Sequence, residues 1–279
     1  MAILEKPDIR LIALDLDGTL FNNRKEITPH TLDVLQQAIR KGVYVVPATG
    51  RPAAGLPKEL MALEGLHYAI TSNGSEVADL VSGKPLFRFP IEGELAARIL
   101  RVLKHYDCLP SLFCQGRRAC PVEDVERIPE FVDANMVKYV RDSCWPVGDL
   151  VEYALNSGDT IEKANGFFLD ENERARCWAE MEALPEHVVI TSSLTLNMEI
   201  NAPGVHKGRG LMALAEHLGL TADQVMACGD SGNDLEMIKA AGLGVAMGNA
   251  TAPVLEHADY VTLSNEEDGV AAAVERFVL

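Results

Sequence analysis

At 279 residues, with 48% hydrophobic and 24% charged side chains, the chain has a globular composition and the length of one large domain or two modest ones. A formal net charge of −16 argues against a nucleic-acid surface, which needs clustered Lys and Arg, and leaves any anionic substrate to be captured by local positive charge. The opening residues Met1 to Asp8 mix charges with a proline, and no apolar run approaches membrane-span length. The six cysteines are scattered without a Cys-x-x-Cys pair, and Cys108, Cys114 and Cys120 beside His105 fit no common zinc spacing. A reduced, cytoplasmic protein with no membrane or nucleic-acid partner is expected.

Ile9 to Leu14 is a nearly continuous apolar run ending in Asp15, the pattern of a buried parallel strand. Thr28-Pro29 reads as a helix N-cap and first-turn proline, and Gly42 as the stop. Val43 to Pro47 is the next strand, Pro57 to Leu63 a helix, and Tyr68 to Thr71 a third strand, so the rhythm is that of βαβ units on a parallel sheet. From Asp79 to Thr191 the pattern changes to short strands, turns and two helical stretches, Glu92 to Tyr106 and Glu171 to Leu184. The α/β rhythm then returns through a strand at Leu196 to Ile200, a helix over Leu211 to Leu218 and a strand at Val225 to Cys228. A helix from Leu235 to Ala241, a strand from Val245 to Met247 and a helix from Val270 to Val278 complete it. The expected architecture is an α/β core over 1–79 and 192–279, split by an inserted α+β domain over 80–191.

Four segments carry chemistry. Asp15-Leu16-Asp17-Gly18-Thr19 follows the first strand, and ligands of open α/β sheets bind at the carboxyl ends of strands. Gly18 supplies the turning freedom, and two neighbouring carboxylates call for a shared proton or a divalent metal; the bland reading is an Asp-Gly turn. Gly229-Asp230-Ser231-Gly232-Asn233-Asp234 again leads from a strand to a helix, where amide groups and carboxylates can serve a phosphate and a metal together. A protease reading with Ser231 as nucleophile needs a double β-barrel, which the helical flanks exclude. Ala48-Thr49-Gly50-Arg51 offers a hydroxyl, an amide and a guanidinium to phosphate oxygens, and Lys207 heads the helix after the Leu196 to Ile200 strand.

Taken in chain order (Asp15 to Thr19, Thr49 to Arg51, Lys207, Gly229 to Asp234), the segments resemble the four motifs of a haloacid dehalogenase superfamily phosphatase of the Cof-type group, with a type IIB (C2B) cap. Ser72-Asn73-Gly74, Gly242 to Ala250 and Asp268-Gly269-Val270 match lesser features. The resemblance implies a Rossmann-like core and a phosphoric monoester hydrolase. It makes Asp15 the nucleophile that forms an aspartyl-phosphate, and Asp17 the acid and base toward leaving group and water. It places Mg²⁺ on the Asp15 carboxylate, the Asp17 backbone carbonyl and Asp230. Thr49, the Gly50 amide, Arg51, Lys207 and Asn233 are implied as phosphate or substrate ligands, with Asp234 behind them. Arg51 could equally reach the insert. The implied substrate is a small phosphorylated metabolite, a sugar phosphate first among them, handled by a monomer or homodimer. A phosphosugar mutase of the same superfamily and a non-catalytic sugar-phosphate-binding regulator are the alternatives. The insert carries none of the four motifs and is expected to select the substrate.

Overall fold

The computed structural model describes residues 7–193 and 196–279, so most of the opening stretch Met1 to Asp8 lies outside the described residues. The chain divides into two compact units, one formed by 1–87 and 206–279 and the other by 88–205.

The first unit opens with β1 (Leu11–Leu14), whose four residues are all buried. Period-two alternation sends Ile12 and Leu14 into one apolar layer and Leu11 and Ala13 into another, as expected of a strand covered on both faces. Helix α1 (Pro29–Arg40) starts at Thr28, whose hydroxyl accepts a bond from the Thr31 amide. The first unit then runs through β2 (Tyr44–Pro47), the short α2 (Lys58–Met61), β3 (Tyr68–Thr71), β4 (Glu76–Asp79) and β5 (Lys84–Arg88). Tyr68 to Thr71 was expected to extend the parallel sheet. Instead β3 pairs antiparallel with β4 in a small β3-β4-β5 sheet and keeps one parallel bridge, Ala48 to Ile70, beyond the end of β2. The reason is local: residues 72–75 turn the chain straight back, so its nearest partner is the strand that follows.

The second unit holds α3 (Gly93–Leu103), β6 (Cys108–Cys114), β7 (Arg117–Pro121), α4 (Ile128–Phe131), α5 (Ala134–Ser143) and β8 (Cys144–Val147). It continues through α6 (Leu150–Asn156), β9 (Ile161–Phe168), α7 (Glu171–Glu182), β10 (Val189–Thr191) and β11 (Asn197–Asn201). Its six strands form one sheet in the order β10-β11-β9-β6-β7-β8, antiparallel except for β7 with β8. Leu100, Leu103, Leu112, Ala164, Phe168 and Met181 fill one apolar cluster; Leu109, Ile128, Phe131, Val140 and Phe167 form another. The strand read at Leu196 to Ile200 therefore belongs to this sheet and not to the core. Its antiparallel register with β9 (Met198 opposite Gly166, Ile200 opposite Ala164) fixes it there. The second unit accordingly spans 88–205, beginning and ending later than the 80–191 read from the sequence.

The chain returns through α8 (Lys207–His217), β12 (Val225–Gly229), α9 (Leu235–Ala240), β13 (Leu243–Ala246), α10 (Ala252–His257), β14 (Tyr260–Val261) and α11 (Gly269–Phe277). The core sheet is fully parallel in the order β14-β13-β12-β1-β2. Helices α1 and α11 bury Val34, Leu35, Val270 and Val274 in one layer, and α8 buries Leu211, Leu214 and Ala215 in the other. Among the described residues no helix is long and apolar enough to cross a membrane.

Candidate active site

Strand order sets the position of the site. From β1 the chain moves to β2 on one side, while β12 leads to β13 on the other, so β1 and β12 flank a topological switch point. Their register pairs Leu14 with Cys228, and the Asp15 amide donates to the Cys228 carbonyl at 3.1 Å. Asp15 and Asp230 thus leave adjacent strands at their carboxyl ends. At Gly18 the backbone sits at φ +92°, and a Cβ there would come within 2.4 Å of the Asp230 carboxylate. Thr19 then donates its hydroxyl to Asp230 Oδ1 at 3.0 Å. The Asp-Gly-Thr run therefore folds directly over the second acidic strand end.

Lys207 is the first residue of α8 and is fully buried. Its Nζ donates to Asp15 Oδ1 at 2.6 Å and to Asp234 Oδ1 at 2.7 Å. Asp234 Oδ2 accepts the Asp230 and Ser231 amides, each at 3.0 Å, so all of Asp234 is spent on holding the lysine and the loop. The N-cap of α8 is His206, whose Nδ1 accepts the Arg209 amide at 3.2 Å; burial lowers the imidazole pKa and favours this neutral acceptor form. Residues 72–74 support the helix start from below. All three have positive φ, and a Cβ on Gly74 would meet the His206 carbonyl at 2.3 Å. The Ser72 and Asn73 amides donate back to the Arg51 and Thr49 carbonyls, which ties this strained turn to the loop after β2.

Carboxylate oxygens of Asp15, Asp230 and Asp234 lie within 4.8 Å of one another. Asp15 Oδ2 is buried and has no hydrogen-bond partner. Three carboxylates face one ammonium, and the excess negative charge shows in their ionisation. Burial, reinforced by Asp234, pushes the Asp15 carboxyl well above its ordinary value against the pull of Lys207. Burial and Asp234 likewise push Asp230 up to about 6. Burial acts to lower Lys207, but the Asp15 and Asp234 charges outweigh it and hold the ammonium protonated. Converging hard carboxylate oxygens and a local excess of negative charge together form a ligand set suited to a divalent cation.

Asp17 stands apart from this cluster. Arg51 grips its carboxylate with two bonds, Nε to Oδ2 at 2.9 Å and Nη2 to Oδ1 at 2.8 Å, and Lys25 adds a third at 2.8 Å. Burial would raise the Asp17 carboxyl, yet the Arg51 and Lys25 bonds and charges win and lower it. Arg51, read from the sequence as a phosphate or substrate ligand, is thus engaged with Asp17 and lies over the Phe21 ring at 5.2 Å. Asn233, read the same way, gives its amide to Asn73 Oδ1 at 3.2 Å and takes the Ser231 hydroxyl at 2.7 Å. The Thr49 hydroxyl is buried and accepts the Arg51 amide at 3.1 Å, with Gly50 between them. Sequence reasoning assigned no role to Thr19, Lys25 or Asn73. Thr19 and Asn73 lie inside segments singled out above, whereas Lys25 sits in a loop that carries no signal.

The chain belongs to the haloacid dehalogenase-like hydrolases, whose family model matches residues 12–274. It is 35% identical over 99% of its length to a 5-amino-6-(5-phospho-D-ribitylamino)uracil phosphatase of Bacillus subtilis, covering 98% of that protein. It is 30% identical to a putative phosphatase of Streptococcus pyogenes over 97% of this chain and 99% of that one. Among solved structures, a haloacid dehalogenase-like hydrolase from B. subtilis superposes with a TM-score of 0.83 at 28% identity, covering 96% of this chain and 99% of that one. A subclass IIB sugar phosphatase, BT4131, gives 0.78 at 26% identity over 96% and 98% of the two chains. The protein is a phosphatase of this superfamily, with the α/β core and inserted α+β domain that the four motifs implied.

Proposed function

We propose that the protein is a Mg²⁺-dependent phosphatase that hydrolyses sugar or sugar-alcohol phosphates through a phosphoryl group carried on Asp15. The reading is carried by the two oxygens of one carboxylate: Lys207 holds Asp15 Oδ1, while Oδ2 is buried with no partner. A carboxylate locked in orientation by one oxygen presents the other as a nucleophile. Asp15 Oδ2 attacks phosphorus in line, the ester oxygen leaves with the P–O bond electrons, and water later displaces phosphate from the aspartyl group. Lys207 opposes the charge on the transferring oxygens, where positioning and neutralisation outweigh covalent inventiveness. Thr49 and the Gly50 amide stand at the end of β2 as further donors to those oxygens.

Asp17 supplies the proton to the leaving oxygen and takes one from the attacking water. To do so its carboxyl must release Arg51 and Lys25, which hold it ionised. The Asp15 and Asp230 carboxylates, with the Asp17 carbonyl, would hold Mg²⁺; when bound, the ion cancels the carboxylate excess and polarises the phosphoryl group.

The family relatives support a polyhydroxylated leaving group, since one acts on a phosphoribitylamino-uracil and another is named a sugar phosphatase. The test is phosphate release from a panel of sugar phosphates, sugar-alcohol phosphates, 5-amino-6-(5-phospho-D-ribitylamino)uracil, nucleotides and phosphopeptides, with Mg²⁺ and with EDTA. Mg²⁺-dependent release that favours the polyol esters is expected. Turnover that survives EDTA, or that favours nucleotides or phosphopeptides, would refute it.

A further inference from the structure

We propose that Cys120 and Cys144, in the inserted unit, form a peroxide-sensitive dithiol that closes reversibly to a disulfide. The parallel register of β7 and β8 pairs Arg118 with Cys144 and Cys120 with Pro146. Side chains alternate along a strand, so Arg118, Cys120 and Cys144 point to one face, with the two thiols as diagonal neighbours. Their sulfurs lie 2.6 Å apart. Closing that gap to a bond of ~2.05 Å needs a shift of only about half an ångström.

A cavity of about 20 Å³ adjoins the pair, lined in part by Ser111, Arg118, Cys120, Asp124 and Cys144. That is room for one molecule on the scale of water. Arg118 Nε and Ser111 Oγ are buried there without hydrogen-bond partners. The Arg118 guanidinium packs over the Phe113 and Phe167 rings, at 4.8 and 5.5 Å, and its charge acts on Cys144.

The two thiols are also unlike the remaining four. The hydrogen bond from Cys120, helped by the Arg118 charge, lowers the Cys144 pKa against its burial, while the same bond and burial raise Cys120. Burial pushes Cys108 upward, and Cys114, Cys177 and Cys228 each up to about 12, which keeps those thiols protonated and inert.

The chemistry balances with a hydroperoxide as the oxidant. The Cys144 thiolate attacks one peroxide oxygen, the O–O bond breaks, and the departing hydroxide takes a proton to leave as water. The sulfenic acid left on Cys144 is then attacked by Cys120 sulfur, which loses its proton as the S–O bond breaks and a second water departs. A dithiol reverses the step by exchange. The closed bond staples β7 to β8 and encloses the segment that carries α4 and α5.

The test treats the full-length wild-type protein with hydrogen peroxide, counts thiols after denaturation and maps linked peptides by mass spectrometry. Two of the six thiols should disappear, with one linked pair joining Cys120 to Cys144, and dithiothreitol should restore all six. Cys144→Ala should leave the other five thiols reduced at the same dose, while Cys177→Ala should still lose two. Survival of all six wild-type thiols, oxidation of Cys144 to a sulfinic acid without a link, or links through other cysteines would each overturn the proposal.

Discussion

Lys207→Met deletes a fully buried ammonium and leaves its two partners, Asp15 at 2.6 Å and Asp234 at 2.7 Å, as uncompensated carboxylates around Asp230. Breaking a buried ion pair from one side costs ~3–5 kcal/mol, which at ~2–4 °C per kcal/mol for a chain of this size is a Tm lower by about 6–20 °C. Asp15 and Asp230 are already pushed upward by burial and by Asp234, so in the variant the relief must come from protonation. The loss should therefore be largest near pH 8 and shrink toward pH 5. Adding Asp15→Asn removes one of the opposed charges and should recover part of the loss, a coupling of ~0.5–3 kcal/mol. Thermal unfolding of the wild type, both single variants and the double variant in EDTA reads all four states. A fall of less than about 2 °C for Lys207→Met, the size of a surface pair, would refute the buried triad as the centre of the site.

Arg51→Ala should move the ionisation of Asp17 upward in the pH dependence of kcat/KM, because Arg51 helps hold that carboxyl down against burial. Arg51→Lys should restore only part of the shift, since an ammonium cannot make the two-bond fork; an unmoved profile would deny the contact a role. Asp17→Asn should cost ~10²–10⁴ in rate at any Mg²⁺ concentration. Asp230→Ala should lose activity that added Mg²⁺ partly restores, and an equal response of both variants would merge the two roles. In metal-free protein the raised pKa of Asp230 gives stability that is complete below about pH 4 and lost as the pH rises through about 6. Mg²⁺ should accordingly raise Tm more at pH 8 than at pH 5, and equal increments at both would contradict a carboxylate-bound ion.

The core was legible because its signals are local. Apolar runs ending in Asp15 and at Gly229 read as buried strands, and the Thr28-Pro29 cap adjoins the helix it starts. The site followed from strand ends, since Asp15, Thr49, Lys207 and Asp230 each stand where a strand or helix terminates. What escaped depended on pairing partners distant in sequence. Asn197 to Asn201 carries the same alternation whether it joins the core or the insert, and only its register with residues 164–167 decides. Tyr68 to Thr71 could not announce that β4 would claim it. Helices α5 and α6 show no long apolar repeat because they are short, ten and seven residues, so that the buried Leu150, Val151 and Ala154 of α6 span little more than one turn. The grip of Arg51 on Asp17 spans 34 residues, and no spacing rule links a loop guanidinium to a carboxylate that its own motif assigns elsewhere.

The proposed covalent step is open to direct measurement. The enzyme is quenched in acid during turnover of p-nitrophenyl phosphate with Mg²⁺, and its peptides are mapped by mass spectrometry. One phosphoryl group on Asp15 is expected, absent from Asp15→Asn, which should neither trap phosphate nor hydrolyse the ester. Phosphate on another residue, or undiminished hydrolysis by Asp15→Asn, would contradict a nucleophilic Asp15.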